Sequence, residues 1–422
     1  MKGRALTVSA VLAGLACLLP VARAHAESFS LFGYLAAGGS RVDSQRAWLN
    51  GGFGRLVTGA RGASGASGTA NDGRAEGRLG LRWEIGTSWA IEIHALARAE
   101  PESKADAAGL SEAFLTWTHG FAAASELRLR AGLFFLPTSR EAVSPLWTSP
   151  YTLTLSALNS WIGEEIRPVG IDGALRFGDH LSAGATIFGG NDTAGALLAW
   201  RGWSMGDRVS ALGEALPLPP LDSLSDPAAF GRQRREGAQA FTQPVGSDLD
   251  GKPGWSVRGR FEDGGALMQA SSYDNRGDRR LYHGEYAWRT RMTQLASQIE
   301  IGDLTLVSEG MLGKSGMGEL TQAHVNIDFW AVYGLASVHR GPWRVSLRYD
   351  RFYIDDRDHS SAENNDDRGS AWTLAGLWQP ADTWRLGLEW LDQRSRRPAA
   401  ADSGGDANTK GRQWRAEARF TF

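Results

Sequence analysis

The chain has 422 residues, 42% of them hydrophobic and 22% charged, with a formal net charge of −2. This balance excludes a disordered chain and a strongly basic nucleic-acid-binding protein. Cys17 is the single cysteine, so the chain beyond it cannot hold a disulfide framework, a thiolate metal site or a cysteine nucleophile.

The first 26 residues have the features of an export signal. Residues 1–26 begin with Lys2 and Arg4, continue with a long apolar stretch and end in the small-x-small motif Ala24-His25-Ala26. This pattern predicts a secretory signal peptide cleaved after that motif. A lipoprotein signal that uses Cys17 is the alternative.

Period-2 alternation of apolar and polar residues recurs from one end of the remaining chain to the other. In Trp89–Arg98 the apolar face is Trp89, Ile91, Ile93, Ala95 and Ala97, and the polar face is Glu92, His94 and Arg98. Beyond the signal there is no apolar run of about 18 residues, so a transmembrane helix is not predicted. A soluble β-sandwich would also alternate, but not at this length or with so many Trp at strand ends.

The spacing of the turns predicts the architecture. Short connections are expected at Gly86–Ser88, His119–Ser125, Gly178–His180, Glu262–Gly265, Gly302-Asp303, Arg340–Pro342 and Gln379–Asp382. These seven hairpins, with a first strand near Ser28–Gly38 and a last strand at Gln413–Phe422, make sixteen strands; eighteen is the alternative count. We therefore predict an all-β fold in which residues 27–422 form one transmembrane antiparallel β-barrel with short periplasmic turns and long extracellular loops.

Tryptophans next to the short turns support a membrane location. Trp83 and Trp89 flank one turn, Trp378 and Trp384 flank another, and Trp343 follows Pro342. Amphipathic rings of this kind settle at the membrane–water boundary, so they predict an aromatic girdle.

Two long connections are candidates for folding into the lumen. Residues 136–167 carry Arg140, Glu141, Glu164, Glu165 and Arg167, and opposed charges of this kind at a constriction would order polar solutes. Residues 191–254 could plug or cap the lumen. An ordinary surface loop is the alternative for each.

The polar face of the strands is rich in arginine. If the apolar face meets lipid, the candidate pore-lining residues are Arg82, Arg98, Arg128, Arg130, Arg258, Arg260 and Arg348. Rings of guanidinium groups would favour anions. The alternative is that these arginines form cross-strand ion pairs with acidic residues of the same face.

Motifs for catalysis and metal binding are not found. The acidic stretch Asp355–Asp367 supplies oxygen ligands without the spacing of a dedicated calcium loop, so neither a metal site nor a cofactor is predicted. We therefore expect a protein that is not an enzyme, and an outer-membrane hydrolase is a minor alternative.

The last strand carries the most specific signal. Trp414, Ala416, Ala418, Phe420 and Phe422 share one face, and Phe422 is the C-terminal residue. This face resembles the C-terminal signature by which the assembly machinery recognises Gram-negative outer-membrane barrels. The resemblance identifies Trp414, Phe420 and Phe422 as the candidate assembly signal.

A second stretch narrows the resemblance. Residues 128–141, an arginine-flanked strand that runs into a Pro-and-Glu loop, and the return at 163–170 resemble the porin superfamily and, within it, the phosphate-selective porin type. Such porins are associated with lysines along the conduction path. The lysines here, which are Lys2, Lys104, Lys252, Lys314 and Lys410, all lie outside the predicted strand interiors, so phosphate selectivity is not predicted.

Together these features predict an outer-membrane porin of a Gram-negative cell, a passive diffusion channel for small hydrophilic solutes with anions favoured. The expected partners are outer-membrane lipid and lipopolysaccharide, the barrel-assembly machinery, further copies in a homotrimer, and small anions, but not nucleic acid. The alternative function is a non-conducting barrel for surface interaction or envelope-polymer export.

Overall fold

The computed structural model describes residues 26–61, 66–100, 108–121, 125–319, 323–360, 362–402 and 404–422. The predicted signal peptide, residues 1–26, lies outside the described residues except for Ala26.

Sixteen antiparallel strands form one closed barrel, which confirms the predicted all-β fold with sixteen rather than eighteen strands. The strands are β1 Ala26–Gln45, β2 Ser67–Ile85, β3 Trp89–Ala99, β4 Ala108–Gly120, β5 Glu126–Leu133, β6 Val169–Phe177, β7 Leu181–Gly189, β8 Gly254–Asp263, β9 Ala266–Asp274, β10 Arg289–Ile301, β11 Leu304–Met317, β12 Val325–Arg340, β13 Trp343–Asp356, β14 Asp367–Ala381, β15 Trp384–Arg396 and β16 Asn408–Thr421. Closure pairs the first strand with the last, with Tyr34 opposite Thr421. Every strand therefore has two neighbours, and no backbone edge meets lipid.

The connections alternate between short turns and long loops. The short turns are 86–88, 121–125, 178–180, 264–265, 302–303, 341–342 and 382–383, at the seven places that the sequence predicts. The long loops are L1 (46–66), L2 (100–107), L3 (134–168), L4 (190–253), L5 (275–288), L6 (318–324), L7 (357–366) and L8 (397–407). Because consecutive strands are antiparallel, the strand ends that precede and follow short turns lie at one end of the barrel, and those that precede and follow long loops lie at the other.

The two faces of the wall differ as the alternation predicts. Large apolar side chains on the outward face are exposed, for example Leu35, Ile187 and Leu295, whereas the inward face carries buried polar and charged side chains. Next to the short turns, the Trp343 and Trp378 rings stack with centroids 5.5 Å apart and Trp384 packs on Phe420. Outward apolar residues with an aromatic band are the surface that a bilayer requires.

Two lysines depart from the sequence-based expectation. Lys314 and Lys410 lie within β11 and β16, not outside strand interiors. Both stand on the outward face near the long-loop end, and Lys314 bonds there to Asp328. They are therefore remote from the lumen.

The long-loop half of the barrel interior is filled with protein. Segments of L1, L3 and L4 and inward residues of the wall form one apolar core, which includes Trp48, Trp161, Trp200, Trp203 and Phe329. We call the parts of L1, L3 and L4 in this core the plug. Burying these indole rings removes a large apolar surface from water, and that gain stabilises the plug against the wall.

The helices are short and belong to the loops. They are α1 Ala157–Glu165 in L3, α2 Ala196–Arg201 in L4 and α3 Ala399–Asp402 in L8, with 3-10 turns at Trp48–Asn50 and Asp222–Leu224. The two-to-four-residue strands Leu216–Pro217, Arg235–Glu236, Gln239–Thr242, Leu281–Tyr282 and Glu285–Tyr286 also lie in loops. Within the described residues, no helix is long and apolar enough to cross a membrane.

Candidate pore lining and constriction

Loop L3 crosses the interior of the barrel. Arg78 of β2 donates to the Leu146 carbonyl oxygen (2.7 Å), Gln269 of β9 donates to the Pro137 carbonyl oxygen (3.0 Å), and Arg415 of β16 donates to the Leu153 carbonyl oxygen (3.1 Å). These inward side chains come from separate parts of the wall. A single loop can reach all of them only from within the lumen.

A buried ion-pair network fixes L3 to β13. The Arg348 guanidinium lies 2.6 Å from a Glu141 carboxylate oxygen and 2.8 Å from Asp350, and it also donates to the Thr154 carbonyl oxygen (2.6 Å). The Glu141 carboxylate accepts from the backbone N–H of Ser156. Arg348 and Glu141, both sequence-predicted pore residues, are inaccessible to solvent, so their contribution is to hold L3 in place.

A second anchor for L3 is Glu309, which the sequence analysis did not select. Its carboxylate accepts from the backbone N–H groups of Arg140 and Glu141, from Tyr333 Oη (2.8 Å) and from Gln294 Nε2 (2.7 Å). Strand parity could have indicated it, because Glu309 lies two residues from the inward Val307 and Met311. The Arg140 side chain points away from this anchor and bonds to Gln298.

Four further sequence-predicted pore residues are buried in or against the plug: Glu164, Glu165 and Arg167 of L3, and Arg98 of β3. Glu164 accepts from Arg201 of L4 at 2.7 Å, and Glu165 accepts from the backbone N–H of Leu197 at 2.9 Å. Arg167 donates to the carbonyl oxygens of Gly163, Ser111 and Ser210, and Arg98 donates to that of Val209. These contacts join L3, L4 and the wall, and none of the four side chains faces a water-filled space.

Arg130 is also withdrawn from solvent. Its guanidinium lies 4.0 Å from the centre of the Phe134 ring and 3.8 Å from Asp172, while Arg258 binds the same carboxylate through two hydrogen bonds of 2.6 and 3.0 Å. Arg258 therefore compensates most of the Asp172 charge, and Arg130 is held mainly by aromatic rings.

Below the plug, at the short-turn end, the lumen holds two cavities, which we call the vestibule. One has a volume of about 250 Å³ and is lined by Arg128, Arg176, Arg258, Arg260, Glu126 and Glu262 among others. The other has a volume of about 390 Å³ and is lined by Tyr34, His339, Arg344, Arg385, Arg419 and the 144–150 part of L3 among others.

Ion pairing divides the vestibule arginines into two groups. Arg260 pairs with Glu262, and Arg82, nearer the end of the wall, pairs with Glu84 (3.0 Å) and Glu92 (2.6 Å). In contrast, among the described residues no carboxylate lies within 4 Å of Arg128 or Arg176, and both side chains are exposed. The first cavity thus has two guanidinium groups whose charge is not neutralised by a direct partner.

L4 meets the β1–β2–β16 wall at a place that we call the narrow point. A cavity of about 10 Å³ is lined there by Ala36, Gly38, Arg74, Glu76, Asp207, Arg415 and Glu417 among others. Asp207 of L4 lies 2.6 Å from Arg74 and 2.8 Å from Arg415. A space of this size holds about one water molecule. Local sequence gives no signal for Asp207, because its partners are brought to it only by the fold.

The C-terminal residues lie where the barrel closes. The backbone N–H of Phe422 donates to the Gly33 carbonyl oxygen (3.1 Å), and the reverse bond is 3.0 Å. Trp414 and Phe422 are exposed on the outward face, and Phe420 packs on Trp384. The candidate assembly signal is therefore accessible from the lipid side.

Comparisons with known proteins identify this architecture. Residues 65–422 match the family model described as phosphate-selective porin O and P. A search of curated proteins by sequence gives no match.

Solved structures share the fold at low sequence identity. The channel DcaP of Acinetobacter baumannii is 11% identical with a TM-score of 0.55, and the match covers 95% of this chain and 98% of that one. Salmonella typhi OmpF in complex with daunomycin is 11% identical (TM-score 0.53, 93% and 97%), and an anion-selective porin from Comamonas acidovorans is 13% identical (TM-score 0.51, 94% and 99%).

Proposed function

The chain belongs to the phosphate-selective porin O and P family, and from this premise we propose that it selects small anionic solutes in the vestibule. Membership and fold make it a passive channel of the outer membrane. The arrangement of charges in the vestibule supports the choice of anions as the solute class. Transport of this kind lowers a barrier to permeation without making or breaking a bond, so the proposal assigns no catalytic residue.

The observation that carries the proposal is the unpaired charge of Arg128 and Arg176. Both guanidinium groups face the 250 Å³ cavity, and Arg258 and Arg260 line it with them. Low-dielectric walls strengthen the field of a fixed charge in a confined aqueous space, so anions are concentrated there and cations are depleted. Guanidinium groups also match the oxygens of carboxylates and phosphates with paired hydrogen bonds, which extends the proposal to oxyanions.

Arg140 of L3 and Arg344 of β13 add positive charge near the vestibule. The Arg140 side chain bonds to the neutral Gln298, and Arg344 lies 5.3 Å from the centre of the Tyr151 ring and donates to Ser337. In the described part of the chain neither guanidinium has a carboxylate within salt-bridge distance. Arg140 and Arg344 therefore support the same sign of selectivity as the first cavity.

A closed barrel is the second candidate function, and the plug favours it. The apolar core fills the long-loop half of the lumen, and the narrow point beside Asp207 is about the size of one water molecule. A barrel that stays in this conformation would not conduct. It would then serve surface interaction or envelope-polymer export.

Reversal potentials in planar bilayers test the solute class. In a salt gradient, wild type should give an anion-selective zero-current potential, and Arg128→Ala with Arg176→Ala should shift it toward cations. The double variant Arg128→Lys with Arg176→Lys keeps the charge and should behave as wild type. The pair Arg260→Ala with Glu262→Ala removes one charge of each sign from the same cavity and serves as the neutral control.

The outcomes separate the two functions. An unchanged reversal potential in the alanine variant, with normal conductance, would contradict anion selection by these arginines. If wild type inserts into bilayers but gives no current steps, the closed barrel is favoured instead.

We also propose partners for the barrel. The exposed apolar outward face supports contact with outer-membrane lipid and lipopolysaccharide. Recognition of the last strand by the barrel-assembly machinery and association into a homotrimer rest on family membership. Cross-linking of the detergent-solubilised protein tests the trimer.

A further inference from the structure

Three carboxylates converge where β13 runs into L7. They belong to Asp356, Asp358 and Glu363, and one oxygen from each lies within 4.8 Å of the others. Asp356 and Glu363 are buried, and Asp358 is half-buried. Three acidic groups so close together repel one another unless a proton or a cation lies between them.

Glu363 is the member without a partner. Its exposed fraction is 8%, and in the described part of the chain both of its carboxylate oxygens lack a hydrogen-bond donor. Burial, together with the Asp358 and Asp356 charges, raises the pKa of Glu363 to about 9. The nearby Arg397 donates to the carbonyl oxygens of Asn365, Ala199 and Trp200 and leaves this carboxylate unbonded.

The two aspartates are oriented by the backbone. Asp356 accepts from the N–H groups of Asp358, His359 and Asn365, each at 3.1 Å. Asp358 accepts from the N–H of Ser360 (3.0 Å) and from that of Asn326 on β12 (2.6 Å). Asp356 Oδ1 accepts two of these bonds, whereas Asp356 Oδ2 and both oxygens of Asp358 accept one each. The bonds therefore fix both groups and still leave a lone pair on three oxygens for another ligand.

We propose that Asp356, Asp358 and Glu363 bind a hard divalent cation, with calcium as the expected ion. Calcium takes six to eight oxygen ligands at about 2.3–2.6 Å in a flexible geometry, so oxygens on opposite sides of the ion are separated by about twice that distance. The observed separations fit this range, and water completes the coordination. The unbonded oxygens of Glu363 then gain the positive partner that they lack.

The site has a structural consequence for the long-loop end. Asp358 is tied to β12 through Asn326, and Asn365 Nδ2 donates to the Ala199 carbonyl oxygen of α2 (3.1 Å). A cation bound to Asp356, Asp358 and Glu363 joins the two ends of L7, and Asp356 also accepts from the backbone N–H of Asn365, the residue that contacts L4. Bound calcium therefore stabilises L7 where it contacts L4.

A second acidic group provides the comparison. The carboxylates of Asp192, Asp248 and Asp250 also lie close together, but each accepts at least one backbone N–H bond, for example from Leu249, Gly251 and Lys252. Asp248 is exposed. This group has no buried carboxylate without a partner, so it serves as the control.

Calorimetric titration of the detergent-solubilised full-length protein, first stripped with EDTA, tests the site. Wild type should bind one more calcium ion per chain than Glu363→Gln, or bind it with at least about tenfold higher affinity. Asp248→Asn should match wild type. Lipopolysaccharide carried through purification binds calcium equally in all variants and cancels in the difference.

A second readout guards against misfolding of a variant. Calcium should raise the temperature at which the wild-type barrel loses its heat-modifiable mobility on gels, and it should not do so in Glu363→Gln or Asp358→Asn. Magnesium should be weaker, because it requires a more rigid octahedral site. Identical calcium binding in wild type and Glu363→Gln would overturn the proposal and leave Glu363 sharing a proton with Asp358.

Discussion

Asp207 is a single L4 carboxylate that contacts two strands of the wall. It lies between Arg74 of β2 and Arg415 of β16, and Arg415 also lies 2.7 Å from Glu417. Both arginines line the narrow point beside Ala36 and Gly38. Asp207 therefore joins two guanidinium groups of the wall, and Glu76 and Glu417 supply the other carboxylates that pair with them.

We predict that Asp207→Asn increases anion permeability. Amide substitution removes one negative charge and weakens the hold of L4 on the wall, so conductance should rise and the reversal potential should move toward anions. The measurement is single-channel recording in a salt gradient. Asp222→Asn, an equal charge change at an exposed L4 position, should leave both quantities unchanged. A lower anion permeability in Asp207→Asn would contradict the prediction.

At the scale of elements, a small number of contacts through Arg348 attaches L3 to β13. Arg348 is fully buried and bonds to Glu141, Asp350 and the L3 backbone. Removing one member of a buried pair leaves the other charge uncompensated, at a cost of about 3–5 kcal/mol. Loss of Arg348 therefore weakens the attachment of L3 to β13, whereas the backbone hydrogen bonds between strands are unchanged.

We therefore predict that Arg348→Ala releases L3 while the barrel persists. Noisier and larger conductance steps should appear, and added protease should cleave within 134–168 of the solubilised protein. Arg351→Ala changes an exposed, outward arginine of the same strand and is the matched control. Glu389 of β15 also contacts L3, because its carboxylate accepts from the backbone N–H groups of Leu153 and Thr154. Protection of L3 equal to wild type would mean that Glu309 and Glu389 hold the loop without Arg348.

The last strand gives a prediction about assembly. Deleting Phe422 removes an outward aromatic ring and the two backbone bonds to Gly33 at the end of the ladder between β1 and β16. The protein should then accumulate unassembled and be degraded, as judged by loss of the heat-modifiable band in outer-membrane fractions. Thr421→Ala removes an adjacent side chain and should assemble. Normal surface levels without Phe422 would contradict the role of this residue.

At the scale of the whole molecule, hairpin parity predicts which end faces the medium. Ala228→Cys in L4 and Ala401→Cys in L8 should react with an impermeant thiol reagent on intact cells, because barrels of this class place long loops outside. Asp303→Cys and Asp382→Cys, on short turns, should react only after cell lysis. All four positions are exposed, so accessibility of the side chain does not explain a difference. The reverse labelling would invert the topology.

The sequence alone determined that the chain forms a barrel, how many strands the barrel has, and which side chains of each strand lie on its apolar face. Alternation in a strand is local, each short turn marks a hairpin, and lipid permits only a closed sheet, so parity alone assigns residues such as Ile93 and His94 to opposite faces. Parity says that a side chain points inward, but not whether water or protein lies there. Only the tertiary structure decided that Arg348 and Arg98 contact the plug while Arg128 and Arg176 face a cavity. The reason is that these contacts join distant segments, as in Arg348 and Glu141, 207 positions apart, and no local pattern encodes such a pair.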